Sequence, residues 1–144
     1  GYMAANEIVC DYVRHNSRPF IFSASIPPSS CAVALAALRY LEGHPELPER
    51  LMGLSRYARD GLKKRGVHIR ESLTPIIPIY TYQAENTLRK AKELYEAGVY
   101  VNPVLPPATE PSECLLRTSY MATHTEPLLD EAMDIIKEVL CKDE

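Results

Sequence analysis

The chain has 144 residues, a net charge of −3, and 46% hydrophobic and 24% charged residues. These proportions are typical of one globular domain with a hydrophobic core. The charge balance gives no case for broad attraction to nucleic acid or to a membrane surface. No apolar run approaches the roughly 20 residues that cross a bilayer.

The four cysteines, Cys10, Cys31, Cys114 and Cys141, form no CxxC pair, and no histidine lies at a zinc-ligand spacing from them. We therefore expect free thiols, no metal site and a reducing, cytoplasmic setting. The first residues also lack the basic segment and apolar run of a signal peptide.

Residues 1–43 are predicted to form a strand, a helix, a second strand and a second helix. The apolar segment 1–5 is expected to be a strand, and Asn6 to cap a helix whose apolar residues recur at helical spacing. Residues 20–22 have the composition of a short buried strand. The run from Pro27 to Leu41 is rich in alanine and leucine, which favours a helix buried on most sides.

The pattern changes in the second half of the chain. A helical pattern follows Pro48 and ends at Gly66, a residue suited to the position after a helix. Three strands are predicted next, at Ile76–Tyr82, 99–101 and 115–120, and Pro78 suggests that the first is an edge strand or a strand start. Helices are predicted at 84–97 and after Thr125. The order β-α-β-loop-β-α over residues 74–144 predicts a small α/β layer.

Arg117 has the strongest physical case for a function. It lies within an otherwise apolar predicted strand, shortly after a proline-rich loop. A charge inside a sheet is costly unless it meets an anion, and a guanidinium can hold a carboxylate through two hydrogen bonds. The alternative is an arginine on the solvent face of an edge strand.

Ser23 and Ser25 lie where a predicted strand ends and a helix begins. Hydroxyls and free backbone N–H groups at such a junction can hold a phosphate. The alternative is ordinary capping of the helix by Ser29 or Ser30, with the first two serines satisfied locally.

Other polar residues give weaker signals. His124 could act as a base, but no carboxylate or cysteine lies at a diagnostic spacing, so a structural histidine is expected. The charged residues of the helix at 84–97 are expected to form a solvated face. They are Arg89, Lys90, Lys92 and Glu93. No glycine-rich phosphate loop supports nucleotide binding.

Three segments of the chain form a recognisable series. They are RPFIFSASIPP at 18–28, GVYV at 98–101 leading to PPAT at 106–109, and LLRTS at 115–119 followed by HT at 124–125 and LD at 129–130. In order and spacing they resemble the α-oxoamine synthase family of pyridoxal-phosphate enzymes. Together these segments cover essentially the whole chain.

The resemblance implies the C-terminal part of a fold-type I enzyme. Residues 1–40 would be the tail of the large domain, and 41–73 a bridging helical segment. Residues 74–144 would be the small domain, a short, largely antiparallel sheet with helices on one face. The lysine that holds the cofactor would lie upstream of Gly1, so this chain would contain no catalytic residue and would be inactive alone.

The resemblance also implies roles for residues of this chain. Arg117 would bind the carboxylate of the amino-acid substrate. Ser23, and more weakly Ser25, would reach the phosphate of pyridoxal phosphate in the neighbouring subunit of a homodimer.

The family condenses an amino acid with an acyl-coenzyme A and releases carbon dioxide. The segment FSASIPP and the PPAT loop favour the branch that uses L-serine, although Leu105 stands where some members of that branch have arginine. The alternatives are a glycine-using member of the family and a non-catalytic module that only binds a partner chain.

Overall fold

The computed structural model describes residues 3–143, and the chain divides into two compact units between Gly43 and His44. The first unit contains α1 (Glu7–Asn16), α2 (Arg18–Ile21) and α3 (Pro28–Gly43). The second contains α4 (Glu46–Lys64), β1 (Ile76–Tyr82), α5 (Ala84–Glu96), β2 (Asn102–Val104), β3 (Cys114–Ser119), α6 (Glu126–Leu140) and a 3-10 turn at Cys141–Asp143.

The first helix begins where the sequence predicts. The side-chain oxygen of Asn6 accepts a hydrogen bond from the backbone N–H of Val9 at 3.2 Å, which satisfies one of the free donors at the start of α1. The strand predicted at 1–5 is not found: residues 3–5 are irregular, and Gly1 and Tyr2 lie outside the described residues.

The buried strand predicted at 20–22 is wrong. Residues 18–21 form the helical turn α2, and Phe22 is 84% exposed. Pro19 occupies the first turn of α2, where its fixed φ suits a helix and its missing N–H costs nothing. The N–H of Ile21 bonds to the carbonyl of Ser17 at 2.9 Å, so local bonds satisfy this backbone without a strand partner.

The second predicted helix of this unit is present as α3, but two details differ. It begins at Pro28, so Ser29 and Ser30 lie inside its first turn and do not cap it. No side chain of α3 is buried, whereas the alanine-rich pattern predicts burial on most sides. Periodicity reports which faces are apolar, but burial needs a second layer, and no described side chain of residues 3–43 is buried.

The second unit is built on one three-stranded antiparallel sheet in the order β1-β3-β2. The prediction that the three C-terminal strands share a sheet is therefore confirmed. β1 lies at an edge of this sheet, as Pro78 indicated. The carbonyl of Pro78 accepts the N–H of Arg70 at 2.9 Å, so the segment before β1 covers part of that edge.

The middle predicted strand is displaced by three residues: β2 is Asn102–Val104 instead of 99–101. Gly98 ends α5 in the left-handed region, with φ of +91°, and the N–H of Val99 still bonds to the carbonyl of Leu94 at 2.8 Å. Val99 is thus tied to the end of the helix, and pairing with β3 begins at Asn102.

Alternate residues of the sheet face a core formed with the helices. On β1 the buried positions are Ile77, Ile79 and Thr81, and on β3 they include Leu116 and Thr118. α5 contacts all three strands, α4 contacts β1, and α6 packs on both α4 and α5. The other buried core residues are Leu54, Ala58, Leu62, Val67, Leu94, Val101, Leu129, Met133, Ile136 and Val139. The fold is α/β, as predicted.

α4 and α6 are joined by a polar network beside their apolar contact. Arg65 donates to Asp134 at 2.7 Å and to Asp130 at 3.4 Å, and the hydroxyl of Tyr57 donates to Asp130 at 2.7 Å. The hydrogen bond from Arg65 lowers the pKa of Asp134, and the bond to Asp130 raises the pKa of Tyr57. The lowered pKa keeps Asp134 ionised near neutral pH, and the raised pKa keeps the hydroxyl of Tyr57 protonated.

Gly61 of α4 lies directly against Met133 of α6. A Cβ at this position would lie 2.5 Å from Sδ and 2.6 Å from Cε of Met133, which is 2% exposed. A Cβ at Gly53, on the same helix, would meet no atom within 4 Å. A Cβ at Gly61 therefore requires the buried end of the Met133 side chain to shift, whereas a Cβ at Gly53 requires no shift.

We expect Gly53→Ala to stabilise the chain by about 0.5–1 kcal/mol, because alanine is the better helix former. Gly61→Ala gains the same helix propensity, but its methyl group overpacks the buried contact with Met133. This variant should therefore be about 1–3 kcal/mol less stable than Gly53→Ala. Urea unfolding of both variants measures the difference. Equal stability of the two variants would contradict the close contact between Gly61 and Met133.

Candidate functional site

Arg117 lies on the central strand of the sheet. In the antiparallel register its neighbours are Pro78 on β1 and Asn102 on β2. Its side chain is exposed, on the face opposite the buried Leu116 and Thr118. The sequence-based alternative, an arginine on the solvent face of an edge strand, is right about the solvent face and wrong about the edge, because β3 is paired on both sides.

The guanidinium of Arg117 has one hydrogen bond within the described residues. Its Nη2 donates to the side-chain oxygen of Asn102 at 3.4 Å. Among residues 3–142 it forms no ion pair, and the flanking residues of its own strand that share its face, Leu115 and Ser119, are neutral. The positive charge is therefore uncompensated, and most of its five N–H donors remain available for an anion.

The proline-rich loop between β2 and β3 is held by its own hydrogen bonds. The N–H of Ala108 donates to the carbonyl of Leu105 at 3.0 Å, and the hydroxyl of Thr109 donates to the carbonyl of Glu113 at 2.9 Å. The peptide bond between Pro106 and Pro107 is cis. The two hydrogen bonds hold the loop that leads from β2 into the strand of Arg117.

Ser23 and Ser25 lie in the irregular segment between α2 and α3, and both are exposed. The hydroxyl of Ser23 donates to the carbonyl of Pro19 in the preceding turn. Two exposed hydroxyls just before the start of α3 fit a phosphate in their donor chemistry. Residues 1–43 contain no lysine.

His124 has a local structural role, as the sequence suggests. Its Nδ1 accepts the N–H of Met121 at 3.3 Å, and its ring meets the edge of Tyr120 at 6.4 Å between centroids. Burial raises the pKa of Tyr120. His124 also lines an open cavity of about 540 Å³ beside the first turn of α6, together with Arg50, Gly53 and Leu54.

The prediction that Lys90 belongs to a solvated face is wrong. Lys90 is 2% exposed, and its Nζ donates to the carbonyl of Val139 at 2.6 Å, near the end of α6. Glu93 lies 3.5 Å from the same Nζ. Arg89 and Lys92, its neighbours on α5, are exposed as expected. Charge patterning missed Lys90 because its side chain crosses to a helix that follows far along the chain.

The sequence also gave no signal for Asn102. Its contact with Arg117 depends on the pairing of β2 with β3, and β2 is shifted from its predicted position. An asparagine in a short strand is not by itself a sign of function. Only the strand register brings its amide to the guanidinium.

The described residues contain neither a cluster of metal ligands nor a membrane-spanning helix. Within residues 3–143 no group of three or more histidine, cysteine, aspartate or glutamate side chains could hold a metal ion. No helix in the same part of the chain is long and apolar enough to cross a membrane.

The family profile of aminotransferase class I and II matches residues 1–136. The chain therefore belongs to the aminotransferase class I and II family. A serine palmitoyltransferase of Bacteroides ovatus is 39% identical over 134 residues, which are 93% of this chain and 34% of that protein. An 8-amino-7-oxononanoate synthase of Citrifermentans bemidjiense is 36% identical over 140 residues, which are 96% of this chain and 36% of that protein.

Solved structures agree with this assignment. A serine palmitoyltransferase from S. paucimobilis with a bound PLP–myriocin aldimine superposes with a TM-score of 0.75 at 33% identity, over 90% of this chain and 33% of that one. The Sphingomonas wittichii serine palmitoyltransferase gives 0.75 at 29% identity, over 94% and 35%. The resemblance and the fold class expected from the sequence are confirmed. The chain spans about a third of the length of the curated relatives it matches, 34% for two serine palmitoyltransferases.

Proposed function

We propose that the whole protein is a pyridoxal-phosphate-dependent acyltransferase that condenses L-serine with an acyl-coenzyme A and releases carbon dioxide. The observation that carries the proposal is Arg117, an uncompensated and exposed guanidinium on the central strand of the sheet, in a chain that superposes on a serine palmitoyltransferase with a TM-score of 0.75. Four curated relatives with that name are 36–40% identical to this chain.

In this proposal Arg117 holds the carboxylate of the amino acid. Its planar fork can form two parallel hydrogen bonds to one carboxylate, which fixes the orientation of the α-carbon as well as its position. Leu115 and Ser119 bring no opposing charge to this face of β3. Arg117 therefore binds and orients the substrate, and the bond-making steps belong to other groups.

Pyridoxal phosphate supplies an electron sink for the negative charge that develops at the substrate α-carbon. Ser23, with Ser25 as the weaker candidate, would donate hydrogen bonds to its phosphate in the neighbouring subunit of a homodimer. The Ser23 hydroxyl must then leave the carbonyl of Pro19. The lysine that binds the cofactor, and with it all covalent chemistry, would lie in the part of the relatives that this chain does not span.

The same proposal assigns a place to each segment of the chain. Residues 1–40 would complete the large domain, 41–73 would bridge the domains, and 74–144 would form the small domain. Within the second unit α4 already packs on β1 and α6, which supports a bridging segment held firmly to the small domain.

The test is a condensation assay with the whole protein, pyridoxal phosphate and a long-chain acyl-coenzyme A. Serine, glycine and alanine are offered separately, and release of free coenzyme A and carbon dioxide is measured. We expect turnover with serine and about 10-fold less or none with the other two, since the hydroxyl of serine adds a polar contact that they lack. Turnover with glycine alone would assign the glycine-using branch. Loss of all three activities in a folded dimer that binds the cofactor would leave only a non-catalytic module.

A further inference from the structure

We propose that Asn102 is a positioning residue that keeps Arg117 both oriented and uncompensated, so that the site selects an amino-acid carboxylate. The inference rests on the proposed function, because it takes the ligand of Arg117 to be that carboxylate. It assigns a role in specificity to a residue whose side chain touches the guanidinium and not the reacting atoms.

The strand register fixes the contact. Asn102 and Arg117 are direct partners in the antiparallel pairing of β2 with β3, so their side chains stand side by side on one face. Nη2 of Arg117 lies 3.4 Å from Oδ1 of Asn102. On the other side of Arg117 the partner is Pro78, which has no polar side-chain atom. Asn102 is therefore the cross-strand neighbour that can orient the guanidinium.

The orientation of the Asn102 amide follows from the chemistry of its two neighbours. A guanidinium has only donors, so the amide must present its oxygen to Arg117. Its NH₂ group then points away and donates to the hydroxyl of Tyr100 at 3.2 Å. The two bonds hold the amide at both ends, which limits the rotation of the arginine that it contacts.

The neutrality of Asn102 matters as much as its hydrogen bond. One amide oxygen occupies one of the five N–H groups of the guanidinium and leaves its charge intact. A carboxylate at the same place would pair with the guanidinium and occupy the donors that a substrate needs. Leu115, Ser119 and Pro78 are also neutral, so none of these neighbours of Arg117 in β1 and β3 brings an opposing charge; the nearby Arg70, whose N–H bonds to the carbonyl of Pro78, is itself a cation.

The experiment compares Asn102→Ala and Asn102→Asp in the whole protein loaded with pyridoxal phosphate. Serine binding is measured by the change in cofactor absorbance, and the KM for acyl-coenzyme A is measured separately. We expect the Kd for serine to rise about 3- to 10-fold in Asn102→Ala, which loses orientation. It should rise about 10- to 100-fold in Asn102→Asp, which also loses the free charge. The KM for acyl-coenzyme A should stay within about 2-fold in both.

Which of the two variants has the higher Kd for serine distinguishes a positioning role of Asn102 from a purely structural one. Aspartate has the same shape as asparagine, so a purely structural role makes Asn102→Asp the milder change. Asn86→Asp is the matched control, because Arg89 donates to the side-chain oxygen of Asn86 at 2.9 Å on α5. This control makes the same chemical change beside a different arginine and should leave the Kd for serine unchanged.

A second readout uses the whole protein without cofactor. Acetate serves as the carboxylate probe, and the Nε–Hε signal of Arg117 is followed by NMR. We expect acetate to shift this signal in the wild-type chain and to have at least about 5-fold less effect in Asn102→Asp, where the guanidinium is already paired. Unchanged backbone signals outside β2 and β3 show that the variant is folded.

Two results would overturn the inference. One is an Asn102→Asp protein with wild-type affinity for serine; the other is an equal acetate response in the wild-type and Asn102→Asp chains. Either result, with serine binding still lost in Arg117→Ala, removes Asn102 and leaves the proposed function standing. Wild-type serine affinity in Arg117→Ala itself would instead remove the carboxylate role of Arg117 and the inference with it, while the condensation assay with serine, glycine and alanine tests the proposed function separately.

Discussion

Arg117→Ala in the whole protein is expected to weaken serine binding by about 10- to 1000-fold. A carboxylate held by two charge-assisted hydrogen bonds is one of the stronger polar contacts in proteins, and each tenfold change in Kd corresponds to about 1.4 kcal/mol. The guanidinium is uncompensated in the described residues, so the loss is not masked by a competing ion pair. Titration of serine against the cofactor absorbance measures the change.

The accompanying variants identify what Arg117 supplies. Arg117→Lys should restore only part of the affinity, because a point charge cannot reproduce the planar fork. Pyridoxal phosphate should bind both variants as it binds the wild type, since its proposed anchors lie on another unit of the chain. Wild-type affinity for serine in Arg117→Ala would mean that this is a surface arginine without a ligand.

Lys90→Ala is expected to destabilise the 144-residue chain by about 2–4 kcal/mol. Lys90 is 2% exposed, so truncation leaves a cavity where its four-carbon stem packs. It also removes the hydrogen bond from Nζ to the carbonyl of Val139 at 2.6 Å. In addition, it removes a positive charge near the C-terminal end of α6, where the helix dipole favours a cation. Urea unfolding gives the difference in free energy of unfolding.

Two controls separate the stem of Lys90 from its charge. Lys90→Met keeps most of the buried stem and should lose only about 1–2 kcal/mol. Lys92→Ala removes a lysine from the same helix that is 77% exposed and lies 3.7 Å from Glu96, and it should change stability by less than about 0.5 kcal/mol. If Lys90→Ala behaved like Lys92→Ala, Lys90 would contribute no more than a surface lysine.

Local chemistry made several elements predictable. The N-cap at Asn6, the left-handed glycine Gly66 and the apolar face of α6 each depend on residues within a few positions of one another. The strand Ile76–Tyr82 was found to the residue, because it is long, apolar and bounded by turn residues. Such signals do not require knowledge of any distant contact.

The sequence-based predictions are wrong where the secondary structure depends on a hydrogen-bond partner that the local pattern does not reveal. The segment at 20–22 has strand composition but forms a helical turn, since local hydrogen bonds satisfy its backbone and Pro19 favours a helix start. The strand expected at 99–101 begins three residues later, because Gly98 and Val99 remain bound to the end of α5. In both cases the composition was compatible with a strand, and the available hydrogen-bond partners determined the observed backbone structure.

The candidate site divides in the same way. The sequence by itself singled out Arg117, because a charge in an apolar strand requires an explanation, and the resemblance of three segments determined the family. It could not place Asn102 beside the guanidinium or Lys90 in the core. The first contact spans 15 residues and the second 49. Only the pairing of β2 with β3 and the packing of α5 on α6 bring these groups together. The sequence thus determined which residues could carry the chemistry, and the tertiary structure decided which neighbours leave the charge of Arg117 free.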